Sequence, residues 1–183
     1  MPLDVLKTAD CGACDRYAEA AGVPGIALMQ AAGAAVAQAI RKRWARRPTV
    51  ILCGPGNNGG DGLVCGRILR QAGWPVRIAL LGEPGRLKGD AAAALADWDG
   101  PIETMSAATL GDAGLVVDAV FGAGLTRPLG GVAGELAAVL ATSAVPVVAV
   151  DLPSGVAGDR PDPVGMMMRA DLTVTFHARK PSH

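Results

Sequence analysis

Aromatic side chains are scarce in this chain, at 3% of its 183 residues. Half of the residues are apolar all the same, and Ala, Val and Leu supply most of that volume. Its elements must therefore approach one another closely through small side chains. An excess of charge is also missing: 17 basic residues meet 17 acidic ones, for a formal net charge of +0. Binding to a phosphate backbone usually leaves a basic excess, so nucleic acid is not an expected partner. Residues 1–10 hold Asp4, Lys7 and Asp10 and no apolar h-region, so no signal peptide is legible. The most apolar stretch, 24–40, is mostly Ala and Gly, interrupted by Gln30 and Gln38. It falls short of the roughly 20 strongly apolar residues that cross a bilayer. The expectation is a soluble, cytoplasmic protein with no membrane partner.

Cysteine is present but not in a pattern that carries chemistry. Cys11-Gly-Ala-Cys14 has the spacing of a redox dithiol or half a zinc site. No strand precedes it, and no second such pair follows to complete a metal shell. It reads as two incidental thiols on a helix. Cys53 ends an apolar run and reads as a small core residue. One local charge excess, Arg41, Lys42, Arg43, Arg46 and Arg47, suits a solvated helix end, where cations also complement the helix dipole. His177 and His183 read as structural or exposed.

What the chain has in quantity is Gly, 25, and Pro, 13, the marks of many tight connections. The first 47 residues read as helical. Thr8 or Asp10 can cap a helix ending near Ala20. Pro24 opens a second, with Met29, Val36, Ile40 and Trp44 on one face at helical spacing, a core stripe. From Thr49 the texture alternates. Apolar runs at 50–53, 76–81, 115–120, 147–151 and 172–176 predict strands, and 63–72, 90–98 and 132–141 predict helices. Alternation of this kind implies right-handed crossovers and a mainly parallel sheet covered on both faces. The expected fold is an α/β, Rossmann-like three-layer αβα sandwich with N-terminal helices, one domain over 1–183.

Three strands run into similar turns. The first continues as Gly54-Pro55-Gly56-Asn57-Asn58-Gly59-Gly60-Asp61-Gly62, the second as Asp118-Ala119-Val120-Phe121-Gly122-Ala123-Gly124-Leu125-Thr126-Arg127-Pro128, and the third as Asp151-Leu152-Pro153-Ser154-Gly155. Ligands of open parallel sheets bind outside the carboxyl ends of the strands, so the three turns would meet in one crevice. Glycines allow backbone N–H groups to approach a phosphate, and a following helix presents its positive end. No Lys-Ser or Lys-Thr follows the first turn, which excludes a Walker A loop. Two amides and a carboxylate are more than a phosphate cradle needs. A site that also orients a sugar, a cation or a reacting hydroxyl would use them.

These strings, in this order, resemble the signature of the NAD(P)H-hydrate epimerase family, the YjeF N-terminal type of domain. Val23-Pro24-Gly25, 28–33 and 170–176 are similar to its N-terminal helices and its last region. The resemblance spans nearly the whole chain. It implies binding of hydrated NADH or NADPH (NADHX, NADPHX) together with a potassium ion, K+. It places Asn57, Asn58, Gly59, Gly60, Asp61, Gly122, Ala123, Gly124, Leu125, Thr126, Arg127, Pro128 and Asp151 against the substrate. It makes Asn58, Asp118 and Ser154 ligands of the ion and Asp151 the substrate-contacting carboxylate at the reacting end. Acid–base chemistry at the hydrated carbon then makes Asp151 the catalytic residue that donates and recovers the proton, helped by Asp61 or a bound water. It further implies a homodimer, and in many bacteria a fused dehydratase domain. A linker to that domain would begin about where the chain stops, at 181–183, so a piece of a bifunctional protein is expected. Gln30-Ala31 departs from the family, which usually has Glu and then a polar or basic residue there. A non-catalytic dinucleotide-binding or interaction module, and a Rossmann oxidoreductase or methyltransferase, remain as alternative readings.

Overall fold

Val50 to Cys53 are wholly buried, and their side chains alternate between two cores. That is the reason for their unbroken apolar run: as the centre of a sheet, β1 (Thr49–Cys53) has no solvent face. The computed structural model describes residues 4–125, 127–160, 162–163 and 165–183. Around β1 stand β2 (Val76–Leu80), β3 (Ile102–Thr104), β4 (Leu115–Ala119), β5 (Val147–Val150) and β6 (Leu172–Val174). The spatial order is β3-β2-β1-β4-β5-β6, and every neighbouring pair is parallel. The order reverses direction between β1 and β4, the place where such sheets open a crevice at their carboxyl ends.

The expected three layers are present. Helices α2 (Gly25–Arg43), α3 (Asn57–Gln71) and α4 (Gly89–Ala96) pack on one face, and α5 (Gly131–Thr142) covers the other. Ile40, Leu63 and Leu69 anchor the first core, and Leu136 and Leu140 the second, all at most 1% exposed. Each such side chain contributes roughly 2 kcal/mol by leaving water. Met29, Val36 and Ile40 are buried as their spacing predicts, while Trp44 ends half-buried just past the helix. The basic residues Arg41, Lys42 and Arg43 close α2 on its exposed side.

One element and two helix starts differ from expectation. The strand β3 is an edge strand of three residues with polar Glu103 and Thr104, too short and too exposed to give a period. Helix α1 (Thr8–Ala20) has no side-chain cap of its own; the Thr8 N–H is taken by Asp159 Oδ1 at 2.7 Å, from 151 residues away. Helix α3 begins at Asn57, inside the Gly-rich string, six residues earlier than its apolar pattern suggests. Among the described residues no helix is long and apolar enough to cross a membrane.

Candidate active site

The three Gly-rich turns follow β1, β4 and β5 and share one cavity of about 880 Å³ at the carboxyl ends of the strands. That volume is in the range of cofactor-sized sites. Asn57, Asn58, Asp61, Gly122, Ala123, Gly124, Leu125, Arg127 and Asp151 reach it. Gly59, Gly60 and Pro128 do not line it, and Thr126 lies outside the described residues.

Why α3 starts so early explains the glycines. Its N-cap is Gly56, no side chain caps it, and no acidic residue sits in its first turn. The first N–H groups and the positive end of the dipole are therefore free to meet an anion in the cavity. A Cβ on Gly54 would collide with the Val120 carbonyl oxygen, and one on Gly59 with the Gly54 carbonyl oxygen. Gly60 lies under the Met29 side chain, and Gly62 against Ala119 and Cys53. These glycines bring the helix directly onto the loops and the β1–β4 floor. Poor intrinsic helix propensity is outweighed by that contact.

Below the floor, Asp118 at the end of β4 is fully buried. Its carboxylate accepts from the Ser154 N–H at 2.7 Å, the Ser154 hydroxyl at 2.6 Å and the Val120 N–H at 3.2 Å. Among the described residues no cationic side chain is paired with it. Burial pushes its carboxyl up to about 6 against the pull of those donors. Ser154 also accepts from the Phe121 N–H at 2.9 Å, so it joins the second turn to the third. The Asn58 amide spans the gap above, one terminal atom 3.1 Å from the Val150 carbonyl oxygen and the other 3.3 Å from the Gly122 nitrogen. With its nitrogen toward Val150 both contacts are hydrogen bonds. With its oxygen there, acceptor faces acceptor at Val150 and donor faces donor at Gly122, so the first orientation is the one the protein satisfies by itself.

Asp151 follows β5 with φ of +66°, a left-handed conformation costing on the order of 1–3 kcal/mol for a non-glycine residue. Three donors hold its carboxylate. The Ala123 N–H reaches Oδ2 at 3.1 Å, the Thr175 hydroxyl reaches Oδ1 at 3.1 Å, and Lys180 forms an ion pair with Oδ1. Lys180 is 3% exposed, and its ammonium also donates to Thr175 Oγ1 at 2.7 Å and the Phe176 carbonyl at 3.2 Å. Asp61, on the first turns of α3, is different. Among the described residues its side chain has no hydrogen-bond partner, and burial, then the negative charges of Asp151 and Asp15, push its carboxyl up to about 8. One cavity thus holds a carboxylate fixed by donors and a carboxyl that stays protonated at neutral pH.

Several of these residues carry no signal in the sequence. Lys180 and Thr175 sit in the last strand's exit, where a basic residue reads as a tail. Helix α1 contributes Thr8, Cys11 and Asp15 to the wall, and Asp15 Oδ1 lies 2.8 Å from His177 Nε2. The spacing of α1 shows a helix but not what it covers. Cys11 is buried against the cavity, Cys14 is exposed, and all four cysteines are free. Met29 is at once core and cavity wall. The departure at Gln30 points to solvent, away from the cavity, while Ala31 touches its rim.

Comparison with known proteins agrees with this geometry. A family model described as YjeF-related protein N-terminus matches residues 25–182. An NAD(P)H-hydrate epimerase of Rhodobacter capsulatus is 46% identical, over 98% of this chain and 91% of that one. The bifunctional NAD(P)H-hydrate repair enzyme Nnr of Thermofilum pendens is 38% identical, over 93% of this chain and 34% of that one. The crystal structure of yeast ynu0 superposes with a TM-score of 0.85 at 25% identity, covering 98% of this chain and 83% of that one. The chain belongs to the YjeF-related protein N-terminus family.

Proposed function

We propose that this chain is an NAD(P)H-hydrate epimerase, an isomerase that interconverts the S and R forms of hydrated NADH or NADPH. The observation that carries the reading is the meeting of Asn58, Asp61 and Asp151 around one dinucleotide-sized cavity, in a chain whose curated relatives bear that name. The hydrate bears a hydroxyl on a ring carbon beside the ring nitrogen. The nitrogen lone pair expels it once an acid protonates it, and water then adds from the opposite face, with no net redox change.

Asp61 is assigned the proton donor, because it is the carboxyl kept neutral. Asp151, expected from the reaction chemistry to give the proton, already accepts three hydrogen bonds; it takes the proton of the returning water. The two groups then exchange roles for the reverse direction. The start of α3 and the 122–125 turn, with Arg127, hold the pyrophosphate. Potassium belongs to the proposal as well. The Asn58 amide oxygen, the Asp118 carboxylate, which has no cationic partner among the described residues, and the Ser154 hydroxyl are oxygen donors suited to a large monovalent cation. When bound, the ion would neutralise Asp118 and stiffen the floor of the cavity.

A homodimer remains part of the proposal from the resemblance; fusion to a further domain is a feature of some relatives, the bifunctional repair enzymes, of which this chain covers 34% and 36%. The deciding experiment supplies one pure hydrate epimer and follows its conversion by chromatography, with and without potassium. Conversion to an equilibrium mixture is expected. A binding module would retain the dinucleotide and convert none of it. Asp151→Asn is expected to abolish interconversion while leaving dinucleotide binding largely intact; unchanged turnover would remove Asp151 from the mechanism.

A further inference from the structure

Burial of a lysine needs a reason, and the partners of Lys180 supply it. Its three N–H donors are all spent inside the protein, on Asp151 Oδ1, Thr175 Oγ1 and the Phe176 carbonyl. None remains for a ligand, although the side chain borders the cavity. The Thr175 hydroxyl, which accepts from Lys180, donates in turn to the same Asp151 oxygen. Lysine, threonine and aspartate therefore close a ring of three polar groups beneath Asp151 Oδ1. The other oxygen, Oδ2, faces the 122–124 turn and lies beside the Asn58 amide, since both crowd the space above Gly122.

The backbone shows the same division. Asp151 holds a positive φ, and its N–H is tied to the Val174 carbonyl at 2.8 Å. Strained corners of this kind persist only where surrounding contacts over-determine them. Lys180 is itself anchored. Its N–H donates to His183 Nδ1 at 3.0 Å, and its neighbour Arg179 accepts from the Leu6 N–H at 2.8 Å and bridges Val5. The end of the chain, strapped to its beginning, thus reaches under the third turn.

We infer that Lys180 is a positioning residue for Asp151: with Thr175 it pins one carboxylate oxygen so that the other is presented to the cavity at a fixed angle. The kinetic consequence rests on the epimerase reading; the geometric one does not. Lys180→Met removes the ammonium and keeps most of the volume. With Asp151 free to swing by about 1 Å, kcat is expected to fall about 100-fold while KM stays within a factor of about three. Thr175→Val, which keeps the ammonium, is expected to lower kcat in the same direction by about tenfold or more, the scale of one hydrogen bond to a charged group. In Lys180→Ala, added n-propylammonium is expected to restore activity, and tetramethylammonium at the same ionic strength is not.

A readout without turnover accompanies these: crystal structures of the parent and of Lys180→Met. The Asp151 carboxylate is expected to shift, or its φ to leave the positive region. The inference is overturned if Asp151 stays in place in Lys180→Met, if kcat is preserved in that folded variant, or if only KM rises, which would make Lys180 a substrate contact. A parent protein that converts no hydrate would sink the epimerase reading alone, and the two crystal structures would still decide the role of Lys180.

Discussion

Asp61 and Asp151 are the same side chain in two environments, and the difference gives the residue scale its test. Asp61 is pushed up to about 8 by burial first and by Asp151 and Asp15 next. A general acid with that value is armed below pH 8, so interconversion should decline as pH rises through about 8. Asp61→Asn should lower kcat by about 10²–10⁴-fold, the usual worth of acid–base catalysis, and abolish that decline. The same shift predicts a stability effect of defined sign. The unfolded carboxyl loses its proton near 3.8 while the folded one keeps it to about 8. The folded state then binds more protons, and its advantage is complete below the lower value and is lost as pH rises through the window. Urea unfolding at pH 5 and pH 8 should show the parent losing more stability than Asp61→Asn; equal losses would contradict the assignment.

At the scale of elements, the informative feature is the start of α3. Ala is ordinarily better than Gly inside a helix by about 1 kcal/mol. At Gly59 the sign should invert, because the added Cβ meets the Gly54 carbonyl oxygen, which cannot rotate away. An overpacking cost of about 2 kcal/mol or more is expected for Gly59→Ala, with Tm lower by about 5 °C. A raised Tm would show that α3 does not sit on that turn. This contact also explains why sequence patterning sets the helix start too late. Four glycines and two asparagines in 54–60 read as a loop by propensity, and only tertiary contact converts their second half into a helix. The strands β1, β2, β4 and β5 were legible because a strand buried on both faces is apolar almost throughout, so that Asp118 in β4 and the half-buried Arg77 in β2 interrupt their runs without hiding them. The edge strand β3 has no such requirement.

For the molecule as a whole, the buried Asp118 makes folding sensitive to its counter-charge. A fully buried carboxylate with no cationic partner among the described residues is costly unless something neutralises it. A cation that binds only the folded state stabilises it by mass action, about 2.7 kcal/mol at a hundredfold excess over its Kd. Replacing potassium with tetramethylammonium, too large for the gap, should lower Tm by about 5 °C or more at neutral pH. Asp118→Asn should erase that difference. A Tm indifferent to the cation would remove potassium from the proposal.

By itself the sequence determined the alternation of elements, the parallel sheet and the three turns that supply Asn58, Asp118 and Asp151, because burial and turn chemistry are written locally in composition and period. Tertiary structure alone decided the protonation and partners of the site's carboxyls. Lys180 is 29 residues from the aspartate it holds, and α1 covers a cavity whose floor begins some way along the chain. Charge and desolvation act through space, and no spacing along the chain encodes a distance across a crevice.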